Sequence, residues 1–159
     1  MTIKLTKFIE CDFDDYYKLV SNEKVMAQIT ERSIPLDEAR TNFQKLLNRN
    51  SKYEKYGSYK IFDRFNHFIG LGHLTLNETI TTEAEIGYML MPEYWGKGFG
   101  TEIASKLIDI AYQTELEVLK AIIDPENIPS RKILLNNGFV SEQVCEIDGL
   151  PGEILCKRL

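Results

Sequence analysis

Cysteine is scarce in this chain of 159 residues, and the three that occur, Cys11, Cys145 and Cys156, are far apart. No two of them form a Cys-x-x-Cys pair, so the sequence indicates neither a disulfide framework nor a zinc knuckle, and we expect no metal site. Histidine is scarcer still, since only His67 and His73 occur, both in a strand-like segment. A catalytic cysteine–histidine pair is therefore disfavoured.

A long apolar run is also missing. No stretch approaches the roughly 20 apolar residues that a helix needs to cross a bilayer. Residues Met1 to Phe8 alternate polar and apolar side chains and lack the apolar block and small-residue cleavage site of a secretion signal. We therefore expect a cytoplasmic protein that has no membrane partner.

An excess of basic residues is missing too, since 19 lysines and arginines stand against 24 acidic residues and the net charge is −5. Domains that bind nucleic acids usually present a basic surface, so we expect no nucleic-acid partner. The acidic balance is compatible with a cationic or amine ligand, although a solvated acidic surface is its commoner meaning. A phosphate-rich ligand would have to be held largely by backbone N–H groups.

The most informative stretch that is present is a glycine-rich turn over residues 94–102, in which Gly96, Gly98 and Gly100 fall at every second position. It follows an apolar strand-like run and precedes a helical pattern of apolar residues over 103–111. The start of a helix exposes N–H groups without partners, and glycines let an anion approach the backbone closely. The pattern predicts a phosphate or pyrophosphate pocket or, alternatively, a tight strand-to-helix turn that binds nothing.

Hydrophobic periodicity predicts the order of strands and helices along the chain. The predicted strands cover residues 3–9, 59–62, 67–76, 83–91, 118–123, 139–144 and 153–159. The predicted helices begin at Asp12, lie around 24–29 and over 36–48, follow the glycine turn to about 113, and cover 127–137. We expect an α/β fold of mixed α+β character in one domain, 1–159, with a mixed, mostly antiparallel sheet of about seven strands and helices on both faces.

With this order of elements, the sequence resembles the GNAT superfamily of N-acetyltransferases. The acetyl-CoA loop of that family reads [QR]-x-x-G-x-[GA], and the window from Trp95 to Gly100 matches it at both glycines, with Trp95 in place of Gln or Arg. The run Pro-x-Tyr-Trp-Gly-Lys-Gly is similar to the branch of ribosomal-protein N-terminal acetyltransferases. Asn127-Ile128-Pro129-Ser130 followed by Gly138-Phe139 is a second match. The resemblance covers nearly the whole chain and implies a GNAT-like fold with a V-shaped splay between strands 4 and 5.

The resemblance implies acetyl-CoA as co-substrate, bound along the splayed strands. Backbone N–H groups from Gly96 to Thr101 would hold the pyrophosphate, and the pantetheine arm would pair with the freed edge of strand 4 like an added strand. The backbone N–H near Leu90 would polarise the thioester carbonyl. The implied cofactor-binding residues are Met89, Leu90, Met91, Gly96, Lys97, Gly98, Phe99, Gly100, Thr101, Asn127, Ser130 and Arg131.

Each of these assignments has a plainer alternative. Met89, Leu90 and Met91 can belong to the core, and the two functions are compatible. Thr101 and Asn127 can serve only as capping residues at helix starts, and Arg131 can lie on a solvated helix surface.

The implied chemistry needs a base, because a protonated amine cannot attack a thioester. A positioned carboxylate contributes about 10²–10⁴-fold to such a step. Glu85 is the first choice, since alternation along strand 4 puts it on one face with Gly87 and Met89. Glu78, at the end of strand 3, is the second choice, and a water chain is the remaining option. The alternative for either glutamate is an exposed carboxylate on a strand.

The departing thiolate can also receive a proton from the protein. Many GNAT members place a tyrosine four residues before the Gly-Phe pair, and that position is Leu134 here. The resemblance implies Ser130 as the substitute donor, with Tyr88 as the second choice. The catalytic residues implied are therefore Glu85, Ser130 and Leu90, although thiolate leaves well enough that a dedicated acid is dispensable.

These features imply an N-acetyltransferase that moves the acetyl group from acetyl-CoA to a primary amine, on a protein N-terminus or a small molecule, by direct attack in a ternary complex. The protein would act as a monomer or homodimer. The alternative is a CoA-binding sensing or regulatory domain without catalysis, which Leu134 permits. A P-loop phosphotransferase is disfavoured, because Thr101-Glu102 follows the last glycine. Acceptor choice is expected in the loops 29–37 and 77–82 and the turn 149–151.

Overall fold

The computed structural model describes residues 2–27 and 29–159, and within them seven strands form one mixed sheet. The strands are β1 (Lys4–Lys7), β2 (Gly57–Phe62), β3 (Phe68–Leu76), β4 (Glu83–Leu90), β5 (Val118–Ile123), β6 (Val140–Ile147) and β7 (Leu150–Arg158). The helices are α1 (Phe13–Val20), α2 (Glu23–Met26), α3 (Leu36–Lys52), α4 (Phe99–Tyr112) and α5 (Ile128–Asn136). The predicted fold class is confirmed.

The centre of the sheet contains its parallel pair. The strand order is β1-β2-β3-β4-β5-β7-β6, and β4 and β5 run parallel while the other neighbours are antiparallel. Pairing between β4 and β5 begins at Glu83 with Val118 and ends at Glu85 with Lys120. Beyond that point β4 continues beside β3 to Leu90 while the rest of β5 pairs with β7. The V-shaped splay between strands 4 and 5 is thus confirmed.

Helices cover both faces of the sheet, as predicted. On one face, Ile103 and Leu107 of α4 and Leu134 of α5 pack with the sheet residues Ile86 and Leu119. On the other, the cluster is built by α1, α2 and α3 with Phe8 and Leu71. Each fully buried side chain of this size contributes about 1.5–3 kcal/mol of transfer free energy. The two cores hold β4 between them and fix which of its side chains faces which helices.

Helix α3 is longer than predicted. The polar run 48–52 predicted an end at Asn48, but the helix continues to Lys52. Asn50 is buried, and its side chain donates to the carbonyls of Phe8 and Ser58 and accepts from the N–H of Ser58. A polar residue with all its hydrogen bonds made in the interior does not end a helix, so a hydrophobicity pattern underestimates the length here.

The last hairpin is also longer than predicted. Instead of a turn over 148–152, only Asp148 and Gly149 form the turn, with φ of 52° and 81°. Two positive φ values suit a two-residue hairpin, so β6 extends to Ile147 and β7 begins at Leu150.

The predictions at the N-terminal end also need correction. β1 covers only Lys4–Lys7, and α2 covers Glu23–Met26, while Gln28 of the predicted stretch 24–29 lies outside the described residues. Asp12 does not cap α1 with its side chain. Its carboxylate accepts from the N–H of Ile9 at 2.8 Å and pairs with Lys60 at 2.8 Å. None of the helices in the described part of the chain combines the length and the apolarity that a membrane crossing requires.

Candidate active site

A cavity of about 600 Å³ lies beside the splay, between the end of β4, the glycine turn and the start of α5. Its walls include most of the predicted cofactor-binding residues, namely Met89, Leu90, Gly96, Gly98, Phe99, Gly100, Thr101, Asn127 and Ser130. A smaller cavity of about 170 Å³ lies deeper in the splay and shares Tyr88, Met89, Asn127 and Ser130 with the first. The elements on both sides of the splay thus line one connected region.

The glycine turn presents open backbone N–H groups to the large cavity. Gly96 and Gly98 have φ of 70° and 88°, and Gly98 is the residue before α4. A Cβ atom at either would meet nothing within 4 Å, so glycine is needed there for backbone conformation and not for space. No side chain caps the first turn of α4. Its first N–H groups therefore remain available to an anion, and the helix dipole favours negative charge there.

At the end of β4, the backbone N–H and C=O of Leu90 point into the splay. The N–H of Met91 donates to Ile69 on the β3 side at 2.9 Å. Because antiparallel strands alternate, the N–H and C=O of Leu90 point to the opposite edge, where β5 has separated. The indole N–H of Trp95 donates to the Leu90 carbonyl at 2.9 Å. Trp95, which appeared in the sequence only as a departure from the family loop, thus ties the glycine turn to the end of β4.

Two hydroxyl groups meet at the junction of the two cavities. Tyr88 Oη lies 3.3 Å from Ser130 Oγ, and both residues line both cavities. Burial raises the pKa of Tyr88, so its phenol is protonated at neutral pH. Asn127 Oδ1 accepts from the N–H of Ser130 at 3.3 Å, which makes Asn127 the cap of α5. The capping alternative for Asn127 is therefore correct, and the same residue still forms part of the cavity wall.

Glu85 lies beside a histidine that sequence reasoning did not place in the site. His73 Nε2 is 4.0 Å from Glu85 Oε2, and His73 lines the 170 Å³ cavity. Burial raises the pKa of Glu85 and lowers that of His73 from 6.5 to about 4, so the imidazole is neutral at pH 7. His73 lies directly across from Gly87, whose missing side chain leaves room for the imidazole. Only the pairing register of β3 with β4, which the sequence alone does not reveal, brings His73 to this place.

The predicted faces of β4 are confirmed. Tyr88 and Leu90 pack with the α4 and α5 cluster, while Met89 packs with the cluster of α1 to α3. Glu85 and Tyr88 consequently approach the splay from opposite faces of the sheet.

Several candidates are not brought to the cavities. Arg131 donates from Nε to Glu153 Oε1 at 2.9 Å, and the Glu153 side chain is only 2% exposed. A buried carboxylate needs a partner, and this need accounts for the position of Arg131. Neither Met91 nor Lys97 belongs to the cavity wall.

Glu78, the second choice as base, is on the outside of the molecule. Its carboxylate pairs with Lys52 at 2.8 Å, and this hydrogen bond lowers its pKa. The aromatic residues Tyr16 and Phe43 of the N-terminal helices belong to the core. Among the described residues, Glu85 does not line any of the three cavities either, but it lies 4.0 Å from His73, which lines the 170 Å³ cavity, and it remains the candidate base.

A third cavity, of about 430 Å³, lies between the loop 29–32 and the β6–β7 hairpin. It shares Ile122, Ile123 and Asp124 with the 170 Å³ cavity, so the two adjoin. Two of the segments predicted to select the acceptor meet here, whereas the loop 77–82 does not line it. Three carboxylates line this cavity, those of Glu31, Asp124 and Asp148. Its arginine, Arg32, is engaged by Glu38 at 2.9 Å.

The sequence profile of the acetyltransferase (GNAT) domain matches residues 2–140. The chain belongs to the GNAT acetyltransferase family. The GNAT chain is 45% identical over 60 residues to the uncharacterised N-acetyltransferase p20 of Bacillus licheniformis, a match over 37% of this chain and 34% of p20. It thus spans about a third of that relative's length. It is 26% identical over 147 residues to the uncharacterised N-acetyltransferase YnaD of Bacillus subtilis (strain 168), covering 89% of this chain and 83% of YnaD.

Solved structures confirm the fold of this GNAT chain. The spermidine N-acetyltransferase of Vibrio cholerae, in complex with CoA and spermine, superimposes with a TM-score of 0.83 at 21% identity, covering 98% of this chain and 95% of that one. RimL, a ribosomal L7/L12 alpha-N-protein acetyltransferase in complex with CoA, gives a TM-score of 0.83 at 19% identity, covering 100% and 95%. At these identities the likeness concerns the fold.

Proposed function

We propose that this GNAT protein is an N-acetyltransferase that moves the acetyl group from acetyl-CoA to a primary amine by direct attack in a ternary complex. The observation that carries the proposal is the connected path through the splay. It leads from the open helix start at α4, past the freed edge of β4, to the cavity between the loop 29–32 and the last hairpin. Two substrates entering from opposite ends would meet at Tyr88 and Ser130.

The residues of the large cavity fit acetyl-CoA. The backbone N–H groups from Gly96 to Thr101 bind the pyrophosphate, and each exposed contact with a helix start contributes about 0.3–1 kcal/mol. Several such contacts offset the net charge of −5. The pantetheine arm lies along the freed edge at Met89 and Leu90 as an added strand. The related structures named above, which contain CoA in the same fold, support this placement.

The reaction uses the backbone N–H of Leu90 at the end of β4 and the carboxylate of Glu85, which approaches from the face of the sheet opposite to Tyr88. The amine nitrogen forms a bond to the thioester carbonyl carbon, and the negative charge that develops on the carbonyl oxygen is stabilised by the N–H of Leu90. Glu85 takes the proton that the amine loses, with His73 between it and the cavity. The C–S bond then breaks, the electron pair stays on sulfur, and the thiolate receives a proton at the end of the cavity where Ser130 lies.

The acceptor enters through the cavity of about 430 Å³. Its carboxylates, on Glu31, Asp124 and Asp148, favour an amine in a molecule that is not strongly acidic. A small polyamine and a protein N-terminus both meet this condition, and the structures of related fold include enzymes of both kinds. The acceptor is therefore proposed as a primary amine of one of these two classes.

An acceptor screen tests the function. The purified protein is incubated with acetyl-CoA and with polyamines, aminoglycosides, amino acids or peptides that have free N-termini. Acetylated product and CoA are measured by mass spectrometry, because the three free cysteines would react with a thiol dye. We expect equal amounts of both products with the polyamines or with the peptides, and turnover confined to aminoglycosides or amino acids would contradict the proposed acceptor classes. Binding of acetyl-CoA without turnover in any class would contradict the proposal and would fit a CoA-sensing domain instead.

A further inference from the structure

The phenol of Tyr88 occupies the point where the two cavities of the splay join. Tyr88 lines the cavity of about 600 Å³ and the deeper cavity of about 170 Å³. Under the proposed function, the acetyl thioester must lie at this junction, because the cofactor enters through the cavity of about 600 Å³ and the acceptor comes from the cavity of about 430 Å³ through the adjoining one of about 170 Å³. The side chain is therefore near the bond that breaks.

The fold holds the phenol at this point from three directions. Tyr88 extends from β4, and its Oη lies 3.3 Å from Ser130 Oγ in the first turn of α5. At the start of α4, a Cβ on Gly100 would come within 3.2 Å of the same oxygen and 2.9 Å of Ile133 Cδ1. Gly100 therefore makes room for the phenol, a function distinct from that of the glycines with positive φ in the same turn.

The phenol of Tyr88 and the alcohol of Ser130 differ in acidity. A phenol ordinarily titrates near pH 10 and a thiol near 8.5, while an alcohol is a far weaker acid than either. Burial raises the pKa of Tyr88, so the phenol keeps its proton wherever the enzyme would work. The remaining charged or titratable side chains that line these cavities are Lys24 of α2, His73 of β3, Tyr94 before the glycine turn, Asp124 after β5 and Lys132 of α5.

We propose that Tyr88 is the catalytic residue that protonates the departing sulfur, and that Ser130 is a positioning residue that orients the phenol. This inference rests on the proposed function. As the C–S bond breaks, its electron pair stays on sulfur and the phenol proton passes to it. The Tyr88 phenolate left behind keeps its hydrogen bond with Ser130 and regains a proton from water.

The test compares Tyr88→Phe and Ser130→Ala with the wild type, using acetyl-CoA and the best acceptor from the screen. We expect Tyr88→Phe to lower kcat about 100-fold with the KM for acetyl-CoA unchanged, as is typical of a lost general acid. Its rate should also lose the decline at alkaline pH that deprotonation of the phenol causes in the wild type. Ser130→Ala should lose less of its kcat than Tyr88→Phe and keep the decline in rate at alkaline pH.

The double variant should be no slower than Tyr88→Phe, because the two residues act as a unit. Tyr112→Phe is the matched control, since Tyr112 lies at the far end of α4 and is 58% exposed, and we expect no change in rate. Circular dichroism and thermal melting verify that each variant is folded.

Two results separate this inference from the proposed function. If the wild type acetylates the acceptor and Tyr88→Phe is equally fast, or keeps the alkaline decline, Tyr88 is not the proton donor. A larger loss in Ser130→Ala than in Tyr88→Phe would assign the donor to Ser130. A wild type without turnover on any acceptor overturns both proposals together.

Discussion

At the scale of residues, Glu85 and His73 form an unusual pair, because burial makes the charged form of each less favourable. The nearest side-chain atoms of His73 and Glu85 are 4.0 Å apart, and the two side chains are 26% and 41% exposed. Burial alone accounts for the raised pKa of Glu85, and it is the largest cause of the lowered pKa of His73, to which the positive charge of Arg49 adds. A carboxylate with a raised pKa is a stronger base than an exposed one, which suits removal of a proton from an amine.

Glu85→Gln is expected to lower kcat at pH 7 by about 100-fold or more while the affinity for acetyl-CoA stays the same, because only the base is removed. The base must be deprotonated to act, so activity of the wild type should fall as the pH drops through a pKa above the ordinary 4.5. Steady-state rates between pH 5 and pH 9 measure both effects.

The control for this change is Glu83→Gln. Glu83 is on the same face of β4 and pairs with Lys120 at 3.9 Å, whereas Glu85 lies 4.0 Å from His73, which lines the 170 Å³ cavity. The rate of the Glu83→Gln enzyme should match that of the wild type. A Glu85→Gln enzyme with the wild-type rate and pH profile would mean that a water chain performs the step without this carboxylate.

Trp95→Phe tests the link between the glycine turn and β4. Phenylalanine retains an aromatic ring but cannot donate to the Leu90 carbonyl, and a hydrogen bond of this kind contributes about 0.5–1.5 kcal/mol. We expect acetyl-CoA to bind about 2–10-fold more weakly, with kcat less affected. Calorimetry measures the affinity, since the change removes the only tryptophan of the chain. An unchanged affinity would show that the hydrogen bond has no part in binding.

At the scale of elements, the proposed function assigns binding to the start of α4 and chemistry to the end of β4 and the start of α5. Gly98 precedes the helix in the left-handed conformation, so the chain enters α4 with its first N–H groups directed to the cavity. Alanine in that conformation costs about 1–2 kcal/mol, and the turn would rearrange to relieve the strain.

Gly98→Ala is therefore expected to raise the dissociation constant for acetyl-CoA about tenfold, because the rearranged turn no longer aligns its N–H groups. Quenching of the Trp95 fluorescence on titration with acetyl-CoA measures the affinity. Gly149→Ala is a matched control, since Gly149 also has a positive φ of 81° and open space around its Cβ position. Gly149→Ala should lose a similar amount of unfolding free energy and keep the wild-type affinity for acetyl-CoA. Equal losses of affinity in both would disprove the anion site at α4.

At the scale of the whole molecule, one sheet supports two cores, and the splay between β4 and β5 connects them. His73 links this architecture to stability, because the folded protein holds it neutral. Its pKa is 6.5 in the unfolded chain and about 4 in the folded protein, so the unfolded state binds more protons between those values. The stability that neutral His73 permits is present above pH 6.5 and is lost as the pH falls towards 4.

We expect His73→Gln to remove this loss, which amounts to about 3 kcal/mol at most. Unfolding in urea measures the free energy of unfolding at pH 7.0 and at pH 4.5. The difference between the two values should be smaller in His73→Gln than in the wild type. His67→Gln, at the other histidine of the chain, should retain the loss that His73 causes, although it removes the ion pair of His67 with Asp63. If His73→Gln follows the wild type at both pH values, the imidazole is protonated in the folded protein and the neutral pair with Glu85 is wrong.

Much of the fold follows from local patterns. The order of strands and helices, the alternation that separates Glu85 from Tyr88, and the open helix start after Gly98 all depend on residues close together in the chain. Hydrophobic periodicity and backbone chemistry act over that range, so they can be read without a structure. Where prediction was wrong, as in the length of α3, a single buried side chain, Asn50, makes tertiary hydrogen bonds that outweigh the local pattern.

The sequence by itself determined the glycine turn, the faces of β4 and membership of a family that moves acetyl groups. Only the tertiary structure decided that Tyr88 meets Ser130, that His73 lies beside Glu85, and that Arg131 pairs with Glu153. These pairs depend on strand register and on helix packing between segments far apart in the chain. A shift of one residue in register would turn His73 to the other face, and the register is fixed by the packing of both cores against β3 and β4.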